Sequence, residues 1–308
     1  MLFPDLPPPP RREASLYTAR RLRTTVPALT DRLARTSLKL QGYRSRTLPT
    51  SVGEVHVLET EGRGPLPTLV LLHGFSSAGV HYFPLLHSLR PHVRRIVLPD
   101  LPAHGFSGTP RDGIRGETLL DGLTEALDSV LDEPAILFGN SLGGIAAIRY
   151  TLARPARVRG LILCSPTGAA MDKAEIATFA AMFRIDSHDD ALDFVDRVMA
   201  TRSAMRQVLA WGLRRKFQRP EMRALIDSIT PSDMLDPEQL RALRPPTLLL
   251  WGRSERVLPT SHLEFFRKHL PPHARVEEPL GFGHTPYLED PARLARAILR
   301  FAEEITRG

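Results

Sequence analysis

The spacing of hydrophobic positions changes twice along the chain and divides it into segments of different predicted structure. Over residues 43–167, short continuous apolar runs alternate with stretches of helical periodicity. This alternation is typical of strands covered on both faces and of the helices that connect them. Over residues 168–243 only the helical periodicity remains, with many Met and aromatic side chains. Strand-like runs then return, so the pattern predicts an α/β core over 43–167 and 244–308, interrupted by a helical lid at 168–243.

The individual elements of the core follow from the same pattern. The apolar runs predict strands at 43–48, 54–60, 68–72, 95–98, 135–138, 247–251 and 274–278. The helical periodicity predicts helices at 82–89, 118–131, 145–154 and 291–306. Because strand and helix alternate along the chain, we expect a mostly parallel, doubly wound sheet.

Residues 1–42 differ from this core in composition. The chain has a net charge of +7, and residues 1–49 alone carry ten Lys or Arg against three Asp or Glu. Four consecutive prolines at 7–10 predict an extended arm. Residues 13–41 are interpreted as two helical pieces separated at Pro27. A basic N-terminal arm and helical segment is therefore expected ahead of the core.

The second of these helical pieces is amphipathic. Three leucines share one face and three cations flank it: Leu29, Leu33 and Leu40, with Arg32, Arg35 and Lys39. Such a helix can dock on its own domain, which is the commoner case, or lie on an anionic membrane surface. Nucleic-acid binding is not expected, because no aromatic side chains interleave with the charges.

The overall composition is that of an ordinary globular protein, with 42% hydrophobic and 24% charged residues in a chain of 308. The single cysteine, Cys164, ends an apolar run, which predicts a buried thiol and excludes a disulfide framework or a cysteine metal cluster. No stretch approaches the roughly 18 apolar residues of a membrane span, and the N-terminus lacks the apolar region of a secretory signal. A cytoplasmic protein is expected, with peripheral membrane contact through residues 13–41 as the alternative.

The sequence Gly139-Asn140-Ser141-Leu142-Gly143-Gly144 lies between a predicted strand and a predicted helix. A serine in that position must occupy a sharp turn, and the glycines are needed because a Cβ would clash with the neighbouring elements. The turn lifts the Ser141 hydroxyl above the sheet, and the N–H of Leu142 faces the same space from the helix N-terminus. The stretch is therefore interpreted as a nucleophile elbow with half of an oxyanion hole.

A serine nucleophile needs a base, and the base needs an acid that orients it. Eleven histidines compete for the first role. His284 lies in a glycine-rich loop before the C-terminal helix, at the same sheet edge as the elbow, where ligands of open α/β sheets bind. Glu255 is the only carboxylate in the loop after the strand at 247–251, and the order Ser141, Glu255, His284 is that of nucleophile, acid and base in this type of fold. Asp233 and Asp236 are the alternative acids.

The other histidines receive different predictions. His73 is followed by a glycine, which suggests a loop-shaping role, and His104 is placed near the site without touching substrate. Five more lie in or beside predicted helices and are expected to be solvated: His81, His87, His262, His269 and His273.

With these residues in place, the chain resembles the α/β-hydrolase superfamily, in its lidded serine-hydrolase branch, from about residue 54 to the C-terminus. Five separated motifs agree in order: His73-Gly74-Phe75, residues 100–107, the elbow, residues 251–259 and Gly283-His284. The resemblance implies that the N–H of Phe75 is the second oxyanion donor. One position departs from the family, which usually has Asp where this chain has Glu255. Residues 1–42 have no counterpart in the family core.

The resemblance also implies an activity, the hydrolysis of a carboxylic ester through an acyl-enzyme, without cofactor or metal. The apolar, Met-rich lid favours a small-molecule ester with an acyl chain or another apolar group, and therefore a carboxylesterase or lipase. Thioesterases and carbon–carbon bond hydrolases share the fold, although the latter often have Trp where this chain has Thr285. Members with an Asp nucleophile are excluded by Ser141, and a non-catalytic binding protein remains the alternative from another class.

Overall fold

Eight strands form one sheet in the computed structural model, which describes residues 29–202 and 204–307. The strands are β1 Arg44–Pro49, β2 Glu54–Glu61, β3 Leu69–Leu72, β4 Arg95–Pro99, β5 Ala135–Asn140, β6 Val158–Cys164, β7 Thr247–Leu250 and β8 Arg275–Glu277. Their order across the sheet is β1-β2-β4-β3-β5-β6-β7-β8. Only the pairings of β2, with β1 and with β4, are antiparallel. The predicted doubly wound, mostly parallel sheet is therefore confirmed.

Twelve α-helices are described within those residue ranges. Those of the N-terminal half are α1 Leu29–Leu40, α2 Phe83–Leu89, α3 Gly116–Val130 and α4 Leu142–Ala153. Between β6 and β7 lie α5 Lys173–Ala181, α6 His188–Val198, α7 Arg206–Phe217, α8 Pro220–Asp227 and α9 Pro237–Arg241. The last three are α10 Thr260–His269, α11 Pro286–Glu289 and α12 Pro291–Arg307. Most predicted elements of the core end within a few residues of the observed bounds.

The sheet separates two hydrophobic cores, and strand alternation assigns residues to them. On β3, Val70 and Leu72 belong to the core that α3, α4 and the segment between β6 and β7 cover. Leu69 and Leu71 belong to the opposite core, which α2 and α12 cover. All four side chains are almost completely buried. Strands of this kind need apolar residues on both faces, which explains why their sequences are continuous apolar runs.

All regular elements described between β6 and β7 are helical. Asp172 and Ser187 begin α5 and α6 with side chains that accept backbone N–H bonds, as N-cap residues do. The apolar faces of these helices meet in an aromatic cluster whose ring centroids lie 4.9–6.0 Å apart. Its members are Phe179, Phe183, Phe194 and Phe217. This cluster packs into the core on the α4 side of the sheet.

Helix α1 docks on the domain through a different face from the leucine face of the sequence pattern. Leu38 is fully buried in the core beside α2. Asp31 is also buried and pairs with His81 and with Lys216 of α7, each at 3.1 Å. Leu29, Leu33 and Leu40 are exposed by 61–86%. The extended arm and the helical piece predicted before α1 lie in residues 1–28, outside the described residues.

In the described part of the chain, no helix combines the length and the apolar character needed to cross a membrane.

Candidate active site

Ser141 lies in the turn between β5 and α4. Its φ is +54° and its ψ −117°, a conformation that residues with a Cβ rarely adopt. The Ser141 N–H donates to the carbonyl oxygen of Cys164 (3.1 Å), and the N–H of Gly144 donates to the Ser141 carbonyl oxygen (2.8 Å). Hydrogen bonds to the next strand and to the helix thus hold a strained turn that presents the serine hydroxyl at the helix N-terminus.

Two glycines allow this turn to form. A Cβ at Gly139 would lie 2.3 Å from the carbonyl oxygen of Gly143, and a Cβ at Gly143 would lie 2.1 Å from the carbonyl oxygen of Leu72. Both distances are far below van der Waals contact, so any side chain at these positions would force strand and helix apart. The steric reason that the sequence suggested for these glycines is therefore present in the structure.

The loop after β3 borders the serine on its other side. A Cβ added to Gly74 would lie 3.2 Å from the Cβ of Ser141. Phe75, the next residue, lines the same cavity as Ser141 and Leu142. The Leu142 N–H belongs to the first turn of α4, where N–H groups have no acceptor within the helix. The structure therefore brings both predicted oxyanion donors to the nucleophile elbow.

His73 fixes the conformation of this loop. Its Nδ1–H donates to the carbonyl oxygen of Gly74 (2.9 Å), and its Nε2 accepts the N–H of Leu101 (3.0 Å). Complete burial lowers the pKa of His73 to about 4, so the ring is neutral at pH 7. The neighbouring His104 is also buried and packs against the rings of His73 and Phe75. Both histidines support the loop that carries Phe75.

Glu255 lies against His284, with 2.8 Å between Oε2 and Nδ1. Both residues follow strands at the carboxyl edge of the sheet, Glu255 after β7 and His284 after β8. Asn140, the residue before Ser141, donates from Nδ2 to the carbonyl oxygen of His284 (2.9 Å). The main chains of the serine turn and of the histidine loop are therefore linked directly.

The Glu255 carboxylate is held in its ionised form. Burial alone would raise its pKa, but the adjacent His284 imidazole and the backbone N–H of Leu258 outweigh burial and lower the pKa to about 2. Its Oε1 accepts the N–H groups of Val257 (2.7 Å) and Leu258 (3.1 Å), which fixes the rotation of the carboxylate. The longer side chain of Glu, compared with the Asp usual in the family, folds back on its own loop.

The two alternative acids serve other functions. Asp233 accepts hydrogen bonds from the N–H and the hydroxyl of Thr230, both at 2.8 Å. Asp236 caps α9 by accepting the N–H of Glu238 at 2.8 Å. Both are engaged in local capping between α8 and α9.

The histidine loop is bonded to the helical segment at the end of α6. The N–H of His284 donates to the carbonyl oxygen of Val198 (3.0 Å). Glu289 accepts N–H groups from both sides, from Gly283 (3.0 Å) and from Ala200. Burial raises the pKa of this carboxyl. Sequence analysis missed Glu289 and Val198, because no local motif links residues that are almost ninety positions apart.

A narrow apolar cavity opens at Ser141, with a volume of about 110 Å³. The core contributes Phe75 and the α4 residues Leu142 and Ile145, and the helical segment contributes Phe179 and Phe183. A surface groove lies elsewhere, beside Leu66 and the end of α12. Of the two, only the cavity at Ser141 contains a candidate nucleophile, and it is therefore the candidate substrate site.

The prediction that five histidines are solvated is wrong for three of them. His87 and His273 are exposed. His262 is 1% exposed and His269 is 9% exposed, because α10 packs this side against the core. His81 is partly buried between Asp31 and Lys216. Cys164 is buried as predicted, and burial raises the pKa of its thiol well above the usual range.

No group of three or more His, Cys, Asp or Glu side chains within 29–202 and 204–307 is arranged to hold a metal ion. The site contains the geometry of acyl transfer instead: a strained serine at a helix N-terminus, a carboxylate-bound histidine and an apolar cavity.

Comparison with known proteins identifies the family. Residues 69–297 match the family described as "Alpha/beta hydrolase family". The chain is 30% identical over 271 residues to the pimeloyl-[acyl-carrier protein] methyl ester esterase of Xanthomonas axonopodis pv. citri, covering 80% of this chain and 99% of the relative. It is 29% identical over 261 residues to the enzyme of the same name from Nitrosospira multiformis, covering 80% and 98%.

A solved structure described as a membrane phospholipase A, a bacterial virulence factor, has the same fold. Its TM-score is 0.78 at 23% identity, covering 96% of this chain and 97% of that one. The family match covers most of the chain, and the sheet order and elbow agree with it. The chain therefore belongs to the alpha/beta hydrolase family, and it is an enzyme of that family, an esterase.

Proposed function

We propose that this enzyme hydrolyses carboxylic esters with Ser141 as nucleophile, His284 as general base and Glu255 as the acid that orients the histidine. The observation that carries the proposal is the 2.8 Å contact between Glu255 and His284 at the sheet edge where Ser141 stands strained at the mouth of an apolar cavity.

The hydrogen bond to Glu255 determines the tautomer of His284. An ionised carboxylate only accepts hydrogen bonds, so Nδ1 must carry the proton and Nε2 must hold the free lone pair. Nε2 is therefore the atom that takes the proton from the Ser141 hydroxyl as its oxygen attacks the ester carbonyl. The imidazolium that forms is stabilised by the Glu255 carboxylate.

Attack converts the carbonyl oxygen into an oxyanion, which the N–H groups of Phe75 and Leu142 would bind. One such donor typically contributes about 3–4 kcal/mol to transition-state stabilisation. The tetrahedral intermediate then collapses: the bond to the alcohol oxygen breaks, and that oxygen takes the proton from His284 Nε2. A water molecule, deprotonated by His284, attacks the acyl-enzyme in the same way and releases the acid and the free serine.

An apolar lining favours an apolar acyl group. The curated relatives are named for a methyl ester whose acyl group is carried on a protein. A methyl ester has a small leaving group and a long acyl part, which suits a cavity that begins at the serine and continues between α4 and the helical segment. We therefore include methyl esters of apolar acids among the proposed substrates, in a carboxylesterase or lipase-like reaction.

We also propose that the segment 168–243 acts as a lid. Phe183 and Phe217 of this segment contact the ring of Phe75 at 5.7 and 5.3 Å between ring centroids. Covering the cavity would exclude water and so strengthen the electrostatic interactions at the oxyanion. A displaced lid would expose Phe75 to solvent and loosen the oxyanion loop.

Covalent labelling with a fluorophosphonate tests the nucleophile directly. We expect stoichiometric labelling of the wild type at Ser141 and no labelling of the Ser141→Ala variant. A panel of methyl and p-nitrophenyl esters of graded acyl length then tests the substrate class, and we expect turnover of apolar esters. Labelling elsewhere, or no ester turnover by a labelled enzyme, would contradict the proposal.

The outer face of α1 supports a further proposal, peripheral contact with an anionic membrane. Its leucines remain exposed after the helix has docked, and the adjacent Arg32 and Lys39 are exposed as well. Apolar side chains flanked by cations suit the interface of an anionic bilayer. Replacing Leu29, Leu33 and Leu40 by Ser should reduce co-sedimentation with anionic vesicles and leave turnover of water-soluble esters unchanged.

Leu280 provides a matched control for that experiment, because it is 69% exposed and lies outside α1, in the loop after β8. Leu280→Ser should sediment like the wild type. Equal sedimentation of the triple variant and the wild type would contradict membrane contact through α1.

A further inference from the structure

Three segments that are distant in the sequence meet at the carboxylate of Asp31. This residue belongs to α1 and is buried. His81, which follows the loop that carries Phe75, contacts its Oδ1 through Nε2 at 3.1 Å. Lys216 of α7, in the helical segment, contacts its Oδ2 through Nζ, also at 3.1 Å. One carboxylate therefore joins α1, the core beside the loop of Phe75 and the helical segment.

The Asp31 carboxylate is ionised and the His81 ring is neutral. Burial alone would raise the pKa of Asp31, but the adjacent His81 and the Lys216 ammonium outweigh burial and lower the pKa below its usual range. Burial and the charge of Lys216 lower the pKa of His81, so its ring is neutral at pH 7. An ionised carboxylate only accepts hydrogen bonds, so the proton of His81 lies on Nε2 and its Nδ1 is an acceptor.

His81 extends this connection to the loop of Phe75. The hydroxyl of Ser77 donates to His81 Nδ1 (2.8 Å), and the N–H of Ser77 donates to the carbonyl oxygen of Gly74 (3.2 Å). The second of these bonds closes a turn over residues 74–77, and Phe75 lies within that turn. Side-chain hydrogen bonds through His81 therefore connect Asp31 to the turn that contains Phe75.

Lys216 connects the same carboxylate to the aromatic cluster. The next residue, Phe217, is buried, and its ring centroid lies 5.3 Å from that of Phe75 and 6.0 Å from that of Phe183. Phe75 and Phe183 both line the substrate cavity. The ion pair between Lys216 and Asp31 thus fixes α7 beside the ring contacts between the helical segment and the loop of Phe75.

Helix α1 is itself anchored on the core, which gives Asp31 a fixed position. Leu38 is fully buried beside α2. The guanidinium of Arg35 lies over the ring of Phe106, 3.9 Å from its centroid. Phe106 belongs to the loop after β4. Contacts with two parts of the core therefore hold the helix that carries Asp31.

We propose that Asp31 is a positioning residue for ester hydrolysis, which holds the segment 168–243 against the loop of Phe75. This inference rests on the proposed hydrolysis at Ser141 and on the proposed lid, and it gives a role in both to α1, which lies outside the residues 69–297 that match the family. A buried carboxylate suits this role, because the loss of a partner leaves its charge uncompensated. Loss of the Lys216 bond should displace the lid and mainly affect esters whose acyl group reaches it.

The p-nitrophenyl esters of acetic and octanoic acid test the proposal in the full chain. An acetyl group ends close to Ser141, whereas an octanoyl chain extends between α4 and the helical segment. Lys216→Met and Asp31→Asn should each lower kcat/KM for the octanoate by about tenfold, the cost of one hydrogen bond to a charged group, and lower it much less for the acetate. Lys216→Arg keeps the charge and should retain most of the activity on both esters.

A double variant and a matched control assign the effect to the ion pair. Asp31→Asn combined with Lys216→Met should lose no more activity than Asp31→Asn alone, because both substitutions remove the same pair. Arg215→Met is the control: Arg215 is the adjacent cation on α7, is exposed, and lies over the ring of Trp211, 4.9 Å from its centroid. Its ratio of octanoate to acetate turnover should equal that of the wild type.

The outcomes separate this inference from the function on which it rests. An unchanged ratio of octanoate to acetate turnover in Lys216→Met and Asp31→Asn would overturn the proposal, and so would losses that multiply in the double variant. If Asp31→Asn folds poorly, Lys216→Met and Lys216→Arg decide, because the ratio is independent of the fraction of active enzyme. Absence of turnover of both esters by the wild type, together with absence of fluorophosphonate labelling, would instead contradict the proposed esterase.

Discussion

The candidate string of serine, histidine and carboxylate, made up of Ser141, His284 and Glu255, has a counterpart in the structural string of Ser45, His56 and Asp100. Their histidine–carboxylate hydrogen bonds are similar. In the candidate active site, His284 Nδ1 lies 2.8 Å from Glu255. Near the other end of the sheet, His56 Nδ1 lies 2.9 Å from Asp100, and His56 Nε2 lies 2.8 Å from the hydroxyl of Ser45. By distances alone, the second string would also qualify as a triad.

The carboxylates of the two strings are bonded in the same way. Glu255 accepts two backbone N–H groups in addition to the histidine. Asp100 also accepts two, from Gly79 (2.7 Å) and Phe106 (2.9 Å). In both cases burial raises the pKa of the carboxyl, and the adjacent histidine and N–H groups outweigh burial and lower it. A buried carboxylate–histidine pair can thus serve simply to hold loops together.

The difference lies in the serines. Ser45 is part of the regular ladder between β1 and β2, opposite Leu58. Ser141 has a positive φ, stands at the N-terminus of α4 and borders a cavity with two candidate oxyanion donors. A histidine–carboxylate hydrogen bond near a serine is therefore not sufficient: strain, a helix N-terminus and an apolar cavity distinguish the candidate nucleophile from a structural serine.

The largest expected effect is a loss of activity, and it should occur in the candidate string only. Ser141→Ala and His284→Ala should each lower kcat on a good ester by about 10⁴-fold or more, because the nucleophile or its base is lost. Ser45→Ala should retain the wild-type kcat. Steady-state kinetics on one ester, with circular dichroism for each variant, measure this. Substantial turnover by Ser141→Ala would remove Ser141 from the mechanism, and an inactive, folded Ser45→Ala would make the second string catalytic.

The next prediction concerns Glu255, the acid of the candidate string. Glu255→Gln should lower kcat by about 10⁴-fold, the loss known for a serine protease whose triad acid is replaced by its amide, because the imidazolium is no longer stabilised and the wrong tautomer is favoured. Glu255→Asp should recover much of the activity, since it shortens the reach and keeps the charge. Asp233→Asn and Asp236→Asn should stay close to wild type in kcat. If either is inactive while Glu255→Gln is active, the acid has been misassigned.

The same carboxylate also predicts a pH dependence of stability. Its pKa falls from 4.5 in the unfolded chain to about 2 in the folded protein, so ionised Glu255 stabilises the fold above pH 4.5. That contribution is lost as the pH falls toward 2. The difference in unfolding free energy between wild type and Glu255→Gln should therefore shrink over this window, as measured by urea denaturation. A constant difference from pH 5 to pH 2 would contradict the lowered pKa.

For the structural string, the expected loss is in stability. Asp100→Asn keeps the shape but places an NH₂ group among N–H donors, and it leaves His56 without its anionic partner. We expect a loss of about 3–5 kcal/mol in the free energy of unfolding. Asp132→Asn, on an exposed side chain that pairs weakly with Arg95, is the control and should change stability little. Equal stability of both variants would show that the Asp100 network does not support the fold.

Much of this molecule could be predicted from the sequence because its constraints are local. Strands covered on both faces must be continuous apolar runs, and the elbow needs glycine at Gly139 and Gly143 whatever surrounds it. The loop positions of Ser141, Glu255 and His284 follow from the alternation of strand and helix. The structure brings Glu255 into contact with His284 through a loop whose sequence contains no other carboxylate.

The features that sequence reasoning missed depend on contacts between distant segments. The bond of Glu289 to Ala200 and the pairing of Asp100 with His56 leave no periodic or spaced signal. Helix α1 looked amphipathic through its leucine face, but its docking is decided by Leu38 and Asp31, because a partner for Asp31 comes from α7. His262 was expected in solvent because polarity alone does not reveal which side of a helix faces the core.

The bond of Glu289 to the histidine loop leads to a smaller prediction. Glu289→Gln leaves one of the two N–H groups, of Gly283 or Ala200, without its acceptor, which should shift His284 by a small distance. We expect kcat to fall by about tenfold with KM nearly unchanged, a cost similar to one lost hydrogen bond to a charged group. Glu303→Gln, on the surface of α12 beside Arg307, is the control. An unchanged kcat in Glu289→Gln would show that Val198 and Asn140 hold the loop without it.

The last prediction makes the same substitution at both serines and expects stability changes of opposite sign. At Ser141, glycine removes the Cβ from a residue with φ of +54°, and the relief of about 1–3 kcal/mol of strain exceeds the extra entropy that glycine loses on folding. At Ser45, glycine weakens a regular strand and removes the hydroxyl that His56 Nε2 contacts, for a combined cost of about 1–2 kcal/mol. Ser141→Gly should therefore be inactive and more stable than the wild type, by about 1 kcal/mol, and Ser45→Gly should be active and less stable. Urea denaturation measures both, and Ala103→Gly is the control for strain without nucleophilic function, since Ala103 also has a positive φ, of 63°. If Ser141→Gly is destabilised as much as Ser45→Gly, the turn is not strained, and the distinction between the two serines must rest on the cavity and the helix N-terminus alone.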